Sequence, residues 1–325
     1  MSRTCKPTRA LRTVFLGSPP FAVPSFRALV EGGLAPCGLV TAPPRRAGRG
    51  RKEIENELVT IAEQRGIPVL RPDRADDPEF LAAFAEWKPD LGIVVAYGQI
   101  LRRALLDIPR EGFINVHGSL LPRWRGASPV QAAILAGDEV SGVSVQRVVE
   151  ALDAGAVLAE REVALSPTER GDELFARLGE VGARCLAEFV ASVGEGPLPA
   201  GVEQDEKVVT HCRKIRRLEG VVDWKRSAVE VDRLVRAMYG WPWAQAGLPG
   251  GVAVRLLEGQ PVEGASNEPA GTVLGLDGGI HVATGEGVYR IDRLQRTGKA
   301  ELQADEFLRG TPIEAGACFE QEINP

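Results

Sequence analysis

Short apolar runs alternate with longer stretches of helical spacing through the first half of the chain. Residues 12–17 read as a strand that stops at a glycine turn, and residues 23–32 carry apolar side chains at helical spacing. The alternation continues with a strand at 34–41, a helix at 53–66, a short strand at 67–70, a helix at 77–87 and a strand at 91–96. Phe113 and Ile114 form a brief apolar pair before a polar run. A helix at 131–137, a strand at 143–148 and a helix at 173–193 complete the series. Strands alternating with helices predict an α/β, doubly wound, mostly parallel Rossmann-like sheet with right-handed crossovers. Such a sheet takes ligands outside the carboxyl ends of its strands. Gln99 and its neighbours and residues 115–122 both leave strand ends, so they are expected to share one crevice.

The pattern changes after residue 193. Residues 194–201 are rich in Gly and Pro and have linker chemistry. Beyond a helix at 229–238, short apolar alternations at 252–257, 271–274, 279–284 and 287–291 lie between turn residues. They predict a small β-barrel. The expected division is a first domain at 1–198, with 1–10 a disordered lead, a linker at 199–215 and a barrel domain at 216–325.

Composition narrows the classes. The 325 residues suffice for about two domains, and 44% hydrophobic with 26% charged residues is ordinary for a globular protein. No apolar run reaches the length of about 18 residues that a membrane span needs. The basic start lacks the apolar core of a secretory signal. The 5 cysteines are scattered without a C-x-x-C pair, and there are only 3 histidines, so no zinc site or disulfide framework is expected and a reducing cytoplasm fits. The net charge of −5 argues mildly against nucleic acid, but charge is clustered locally. Arg45, Arg46, Arg49, Arg51 and Lys52 sit in a Pro/Gly-rich stretch that reads as a mobile basic loop. Lys207, Arg213, Lys214, Arg216 and Arg217 make a second cluster in a C-terminal half that holds more acidic than basic residues.

The candidate chemistry lies in Asn115-Val116-His117-Gly118-Ser119-Leu120-Leu121-Pro122. On an extended segment Asn115 and His117 point to the same side. An amide and an imidazole facing one point can polarise a carbonyl oxygen as it becomes negative. Arg123-Trp124-Arg125-Gly126 follows and reads as an exposed loop. Asp153, further along, could orient His117 or take a proton. The spacing alone equally allows His117 to end a strand and Asp153 to begin a turn at Ala154-Gly155. The opening at residues 17–21 is not G-x-G-x-x-G, so a dinucleotide site is poorly supported. No Ser or Cys motif suggests a covalent nucleophile.

The run from Asn115 to Pro122, then Arg123-Trp124-Arg125-Gly126-Ala127, then Leu152-Asp153-Ala154-Gly155 resembles the folate-dependent formyltransferases, and among them those acting on methionyl-tRNA. The resemblance extends from Leu11 over nearly the whole chain. It implies transfer of a formyl group from 10-formyltetrahydrofolate, as co-substrate and without a metal, to the α-amine of methionyl initiator tRNA. It implies Asn115, His117 and Asp153 as the catalytic trio, and Val95, Ala96, Tyr97, Ser119, Leu120, Leu121 and Pro122 around the folate. The basic loop with Arg49, together with Arg123, Arg125, Lys214, Arg216 and Arg217, is then expected to contact tRNA. The second domain is expected to be an oligonucleotide-binding-like barrel, and the protein a cytoplasmic monomer with no membrane partner. The sequence departs from the usual Leu-Asp-Thr-Gly-Asp, with Ala154 and Ala156 in place of Thr and the second Asp. Gly118 and Arg102 also depart from common residues of the family. Three readings compete: a formyltransferase for a small amine, a folate-dependent deformylase, and a tRNA-binding protein without catalysis. His211 and His281 have no partner motif and read as structural or exposed.

Overall fold

The computed structural model describes residues 11–44, 46–47, 52–53, 56–194, 196–248 and 251–320. It divides into two compact units. Unit 1 comprises Met1–Gly126, Val140–Ala164 and Phe175–His211, and unit 2 comprises Ala127–Glu139, Leu165–Leu174 and Cys212–Pro325.

The elements of the first half are β1 (Thr13–Gly17), α1 (Ala22–Glu31), β2 (Leu39–Val40), β3 (Arg46–Ala47), β4 (Lys52–Glu53), α2 (Glu57–Gln64), β5 (Val69–Leu70), α3 (Pro78–Glu86), β6 (Leu91–Val95), α4 (Arg103–Leu106), β7 (Phe113–His117) and β8 (Arg125–Gly126). Then come α5 (Pro129–Ala136), β9 (Val140–Arg147), β10 (Val157–Ala164), α6 (Gly171–Val193), β11 (His211–Cys212), α7 (Ala228–Ala237), β12 (Ala244–Gly247), β13 (Ala253–Val262), β14 (Val273–Gly275), β15 (Ile280–Ala283), β16 (Val288–Arg296), β17 (Glu301–Gln303) and α8 (Ala304–Gly310).

Unit 1 is built on a sheet of order β10-β9-β7-β6-β1-β2-β5. The strands β5, β2, β1, β6 and β7 run parallel. The apolar side chains of β1 and β2 and most of those of β6 and β7 are buried because helices cover both faces of such a sheet, whereas Val69 and Leu70 of the edge strand β5 are half-buried. The antiparallel strands β9 and β10 extend one edge. The hydrophobic pattern misses β10 because it is an edge strand whose centre, Glu160-Arg161-Glu162, is exposed. The strand expected at 34–41 contracts to Leu39–Val40.

Strand order reverses at β1, which pairs with β2 on one side and β6 on the other. That reversal opens a crevice at the carboxyl ends of β1 and β6. Gly17 ends β1 there. A Cβ on it would come within 2.6 Å of the Phe15 ring, 2.8 Å of Ala22 Cβ and 3.0 Å of Val95 O, so only glycine lets the strands and α1 meet this closely.

The stretch expected as a basic loop carries a short ribbon in which β3 pairs antiparallel with β4, Arg46 opposite Glu53. Arg45, Arg49 and Arg51 lie outside the described residues. The stretch read as a linker at 199–215 is bonded into unit 1 as far as His211. Val202 bridges Val157, and Thr210 accepts from Arg125 N through its carbonyl and from Trp124 N through its hydroxyl.

Unit 2 holds an antiparallel sheet of order β12-β13-β16-β15-β14, with β17 on β16. Chain near the C-terminus bridges Gly247 to Glu320 and Thr272 to Cys318, which ties the two edges of the curled sheet together. Its core is formed by Trp224, Tyr289, Phe307 and Phe319 with apolar residues of α7 and the strands. Trp224 and Phe319 pack with ring centroids 5.2 Å apart. Helix α7 starts with a capping box between Ser227 and Glu230, then buries Val231 and Val235.

Candidate active site

The site is built on the end of β7. Register places Asn115 opposite Gln146 and His117 opposite Ser144 of β9, while Asn115 pairs with Val94 of β6 on the other side. The four polar side chains therefore share one face of the sheet, and Val116 and Val145 face the other. His117, Ser144 and Gln146 are buried, whereas Asn115 is half-buried. The Asn115 amide has no hydrogen-bond partner among the described residues, so its donors remain available to a ligand.

His117 is held at both ring nitrogens. Nε2 lies 2.9 Å from the Trp124 carbonyl oxygen. A carbonyl only accepts, so Nε2 carries the proton and donates. Nδ1 lies 3.7 Å from Asp153 Oδ2, a distance for electrostatic attraction rather than a hydrogen bond. In the neutral ring the Nδ1 lone pair faces the carboxylate. A second proton at Nδ1 turns that repulsion into attraction.

Asp153 sits in a cage of donors. Gly126 N donates to Oδ2 at 2.9 Å, and Gln146 Nε2 donates to Oδ1 at 2.9 Å. Both Asp153 and Trp124, the two residues that flank the His117 ring, have left-handed backbone, at φ +50 and +61. Non-glycine residues adopt that conformation at a cost of roughly 1–2 kcal/mol, which the surrounding bonds must offset.

Arg125 requires a correction to the reading of residues 123–126 as an exposed loop. Its side chain is only 5% exposed and pairs with Glu206 at 2.7 Å and with Gln204 at 2.9 Å. A guanidinium so buried and so committed braces the site; it is not a surface available to phosphate. Arg123 is exposed and stacks its guanidinium 4.5 Å from the Trp124 ring centroid.

The residues expected around the folate fall into two groups. Val95, Ala96 and Tyr97 leave the carboxyl end of β6. Ala96 and Gly98 are exposed with φ +48 and +80, and a Cβ at Gly98 would meet nothing within 4 Å. Exposure is confined to Ala96 and Gly98, because Tyr97 between them is buried and its carbonyl accepts from Ser18 Oγ at 3.4 Å. The Tyr97 side chain turns inward instead. It is buried, its hydroxyl has no partner among the described residues, and burial pushes its pKa up to about 12. Ser119, Leu120, Leu121 and Pro122 form the turn after β7. Ser119 Oγ donates to Arg123 O at 2.5 Å and closes that turn.

The sequence reading missed Ser144, Gln146 and Gln204. The signal for the first two is the alternation Val143-Ser144-Val145-Gln146, the same polar face within an apolar strand that marks Asn115 and His117. Gln204 gives no such signal. Ser144 Oγ accepts from Leu121 N at 3.0 Å and donates to Ser119 O at 2.9 Å, fully buried. A Ser144→Ala variant is expected to lose about 1–3 kcal/mol of stability, because both backbone groups lose their partner. Denaturant unfolding measures this, and a change below a few tenths would mean that the turn finds other partners.

Of the second basic cluster, Lys214, Arg216 and Arg217 are exposed in unit 2. Arg213 pairs with Glu219, and Arg217 lines a surface cavity of about 360 Å³ with Arg296 and Lys299. His211 is exposed, and His281 is half-buried with Nε2 donating to Asp277 O at 3.0 Å. Among the described residues no helix is long and apolar enough to cross a membrane.

Known proteins agree with this architecture. The Formyl transferase family profile matches residues 11–190, and the Formyl transferase C-terminal domain profile matches residues 214–312. The methionyl-tRNA formyltransferase of Gluconobacter oxydans is 42% identical over 308 residues, covering 94% of this chain and 99% of that one. The methionyl-tRNA formyltransferase of Halorhodospira halophila is 42% identical over 310 residues, covering 94% and 98%. Among solved structures, the sugar 3N-formyl transferase WlaRD, determined with dTDP and 5-N-formyl-THF, superposes with a TM-score of 0.65 at 12% identity over 90% of this chain and 100% of that one. HypX from Aquifex aeolicus in complex with tetrahydrofolic acid gives a TM-score of 0.60 at 21% identity; 97% of this chain matches 51% of that longer one. At such low identity these two structures bear on the fold alone. The identity to the bacterial enzymes runs nearly end to end, and on that ground the chain belongs to the formyl transferase family, in its methionyl-tRNA formyltransferase group.

Proposed function

We propose that the protein transfers the formyl group of 10-formyltetrahydrofolate to the α-amino group of methionyl initiator tRNA, giving formylmethionyl-tRNA for translation initiation. The observation that carries the reading is that Asn115 and His117 at the end of β7 meet Asp153 of the β9–β10 connection, beside the end of β6 where Ala96 and Gly98 are exposed. The neutral amine attacks the formyl carbon directly, and the formyl oxygen gains negative charge. The Asn115 amide donates to that oxygen, and the positive charge of His117, with one N–H on Trp124 O and the other facing Asp153, offsets the charge that develops. Asp153 stabilises the charged ring and assists removal of the amine proton; collapse of the tetrahedral intermediate then breaks the bond from the formyl carbon to N10, and tetrahydrofolate leaves with a proton returned to N10.

The acceptor follows from the cations that each unit carries. Unit 2 holds a curled sheet and exposed Lys214, Arg216 and Arg217, and Arg46 and Lys52 of the ribbon belong in sequence to the basic stretch that includes Arg45, Arg49 and Arg51. Cations of this kind neutralise tRNA phosphates, and in unit 1 the exposed Arg123 adds one more. A small amine needs neither feature. Arg125 is left out of this set because it is buried. The reaction belongs in the cytoplasm, where charged tRNA is used, with the chain acting as a monomer and without a metal.

The test compares formyl transfer to methionyl initiator tRNA and methionyl elongator tRNA from 10-formyltetrahydrofolate. Fast transfer selective for the initiator supports the reading. Folate consumed without transfer to either tRNA would replace it with a deformylase or a small-acceptor enzyme. An Arg49→Ala variant is expected to lower kcat/KM for initiator tRNA about tenfold, the loss of one charged contact, with little change in KM for the folate. Unchanged efficiency would remove Arg49 from the tRNA contacts.

A further inference from the structure

Residues 202–211 of unit 1 lie along the turn between His117 and Gly126 and along the turn that carries Asp153. Gln204 stands where the two meet. Its Nε2 donates to Asp153 O at 2.8 Å and to Gly155 O at 2.7 Å, while its Oε1 accepts from Arg125 Nε at 2.9 Å. Chemistry fixes the orientation of this amide. The two carbonyls only accept and the guanidinium only donates, so the nitrogen must face the turn and the oxygen must face Arg125. Arg125 in turn donates to Glu206 Oε1 at 2.7 Å. A directed chain of bonds thus runs from Glu206 through Arg125 and Gln204 to the backbone around Asp153.

The opposite side of this turn is closed as well. A Cβ on Gly155 would come within 1.9 Å of Arg147 O, and Arg147 N donates to Ala156 O. The turn is held between the β9 backbone and one side-chain amide. Within it Asp153 keeps a left-handed backbone, which an aspartate leaves readily for the ordinary regions when nothing holds it. Gln146 and Gly126 fix the carboxylate, but neither touches the Asp153 carbonyl. We propose that Gln204 is a positioning residue of the transfer reaction: its amide clamps the 153–155 backbone and so keeps the Asp153 carboxylate beside His117 Nδ1. The proposal rests on the functional reading above for its kinetic consequence, but not for its structural one.

The test is the Gln204→Glu variant of the full chain. It preserves shape and the bond to Arg125, and it replaces both N–H donors with oxygen facing two carbonyl oxygens. The expected result is a fall in kcat of about 10- to 100-fold, the usual effect of removing a group that orients a reacting side chain. KM values for folate and tRNA stay near those of the parent, while the melting temperature falls by about a few degrees because the Asp153 and Gly155 carbonyls lose their donor. In a crystal structure of the variant, Asp153 leaves the left-handed conformation and the 153–155 turn shifts. Gln204→Ala should match it in kcat and lose more stability. An unchanged kcat in Gln204→Glu, or a loss expressed only through KM or melting temperature, overturns the proposal. If the parent transfers no formyl group, the functional reading fails, and the crystal structure of the variant then decides: an unmoved turn overturns the clamp and a released turn upholds it.

Discussion

An Asp153→Asn variant is expected to fold like the parent and to lose about three orders of magnitude in kcat, comparable in kind to the loss when a histidine's orienting carboxylate becomes an amide in a catalytic triad. Both carboxylate oxygens accept hydrogen bonds, one from Gly126 N and one from Gln146 Nε2. An asparagine supplies one accepting oxygen and an NH2 group. If the oxygen keeps Gly126 N, the NH2 group faces Gln146 Nε2, and turning the Gln146 amide to accept it would set N–H against Gln204 Nε2 instead. The variant also places no negative charge 3.7 Å from His117 Nδ1, so the ring has nothing to stabilise a second proton there. Single-turnover formyl transfer measures the chemical step, and circular dichroism with a thermal melt establishes that the fold is kept. A folded variant retaining a tenth or more of parental kcat would take Asp153 out of the proton path.

Replacing Asn115 with Ala is expected to lower kcat by about 10² to 10³, or ~3 kcal/mol of transition-state stabilisation. The position is suited to a loss that appears in the reaction and hardly in stability. The amide is half-buried and has no hydrogen-bond partner among the described residues, so its removal leaves no protein group unmatched. The donor acts on charge that develops only as the amine attacks, so kcat and kcat/KM should fall together. An Asn115→Asp variant, which presents acceptors to a developing anion, should be no better than alanine. If kcat were preserved and only KM rose, Asn115 would be a binding group for the ground state instead.

Much of this arrangement is legible along the chain, and the reasons differ by element. Strands β1, β6 and β7 are apolar because both sheet faces are covered, so a run such as Leu91 to Val95 announces itself without knowledge of its neighbours. β10 does not, because an edge strand with Glu160, Arg161 and Glu162 at its centre looks like any solvated segment. Gly and Pro at 194–201 suggest a flexible connection, yet the chain just beyond is tied down at Val202, Gln204, Glu206 and Thr210 by partners lying 45 or more residues away. Arg125 looks like a free cation in sequence and is a buried brace in structure, because Gln204 and Glu206 come back to meet it.

By itself, then, the sequence determined the alternating α/β order, the small C-terminal barrel, the shared direction of Asn115 and His117, and the family. Each of these depends on spacing between residues close in the chain, which local geometry converts directly into burial or facing. Only the tertiary structure decided that Asp153 reaches His117, that Trp124 O sets the proton on Nε2, and that Ser144, Gln146 and Gln204 hold the site. Those contacts depend on the register of β7 against β9 and on two left-handed turns, and a shift of one residue in that register would take Ser144 and Gln146 away from the face that Asn115 and His117 share.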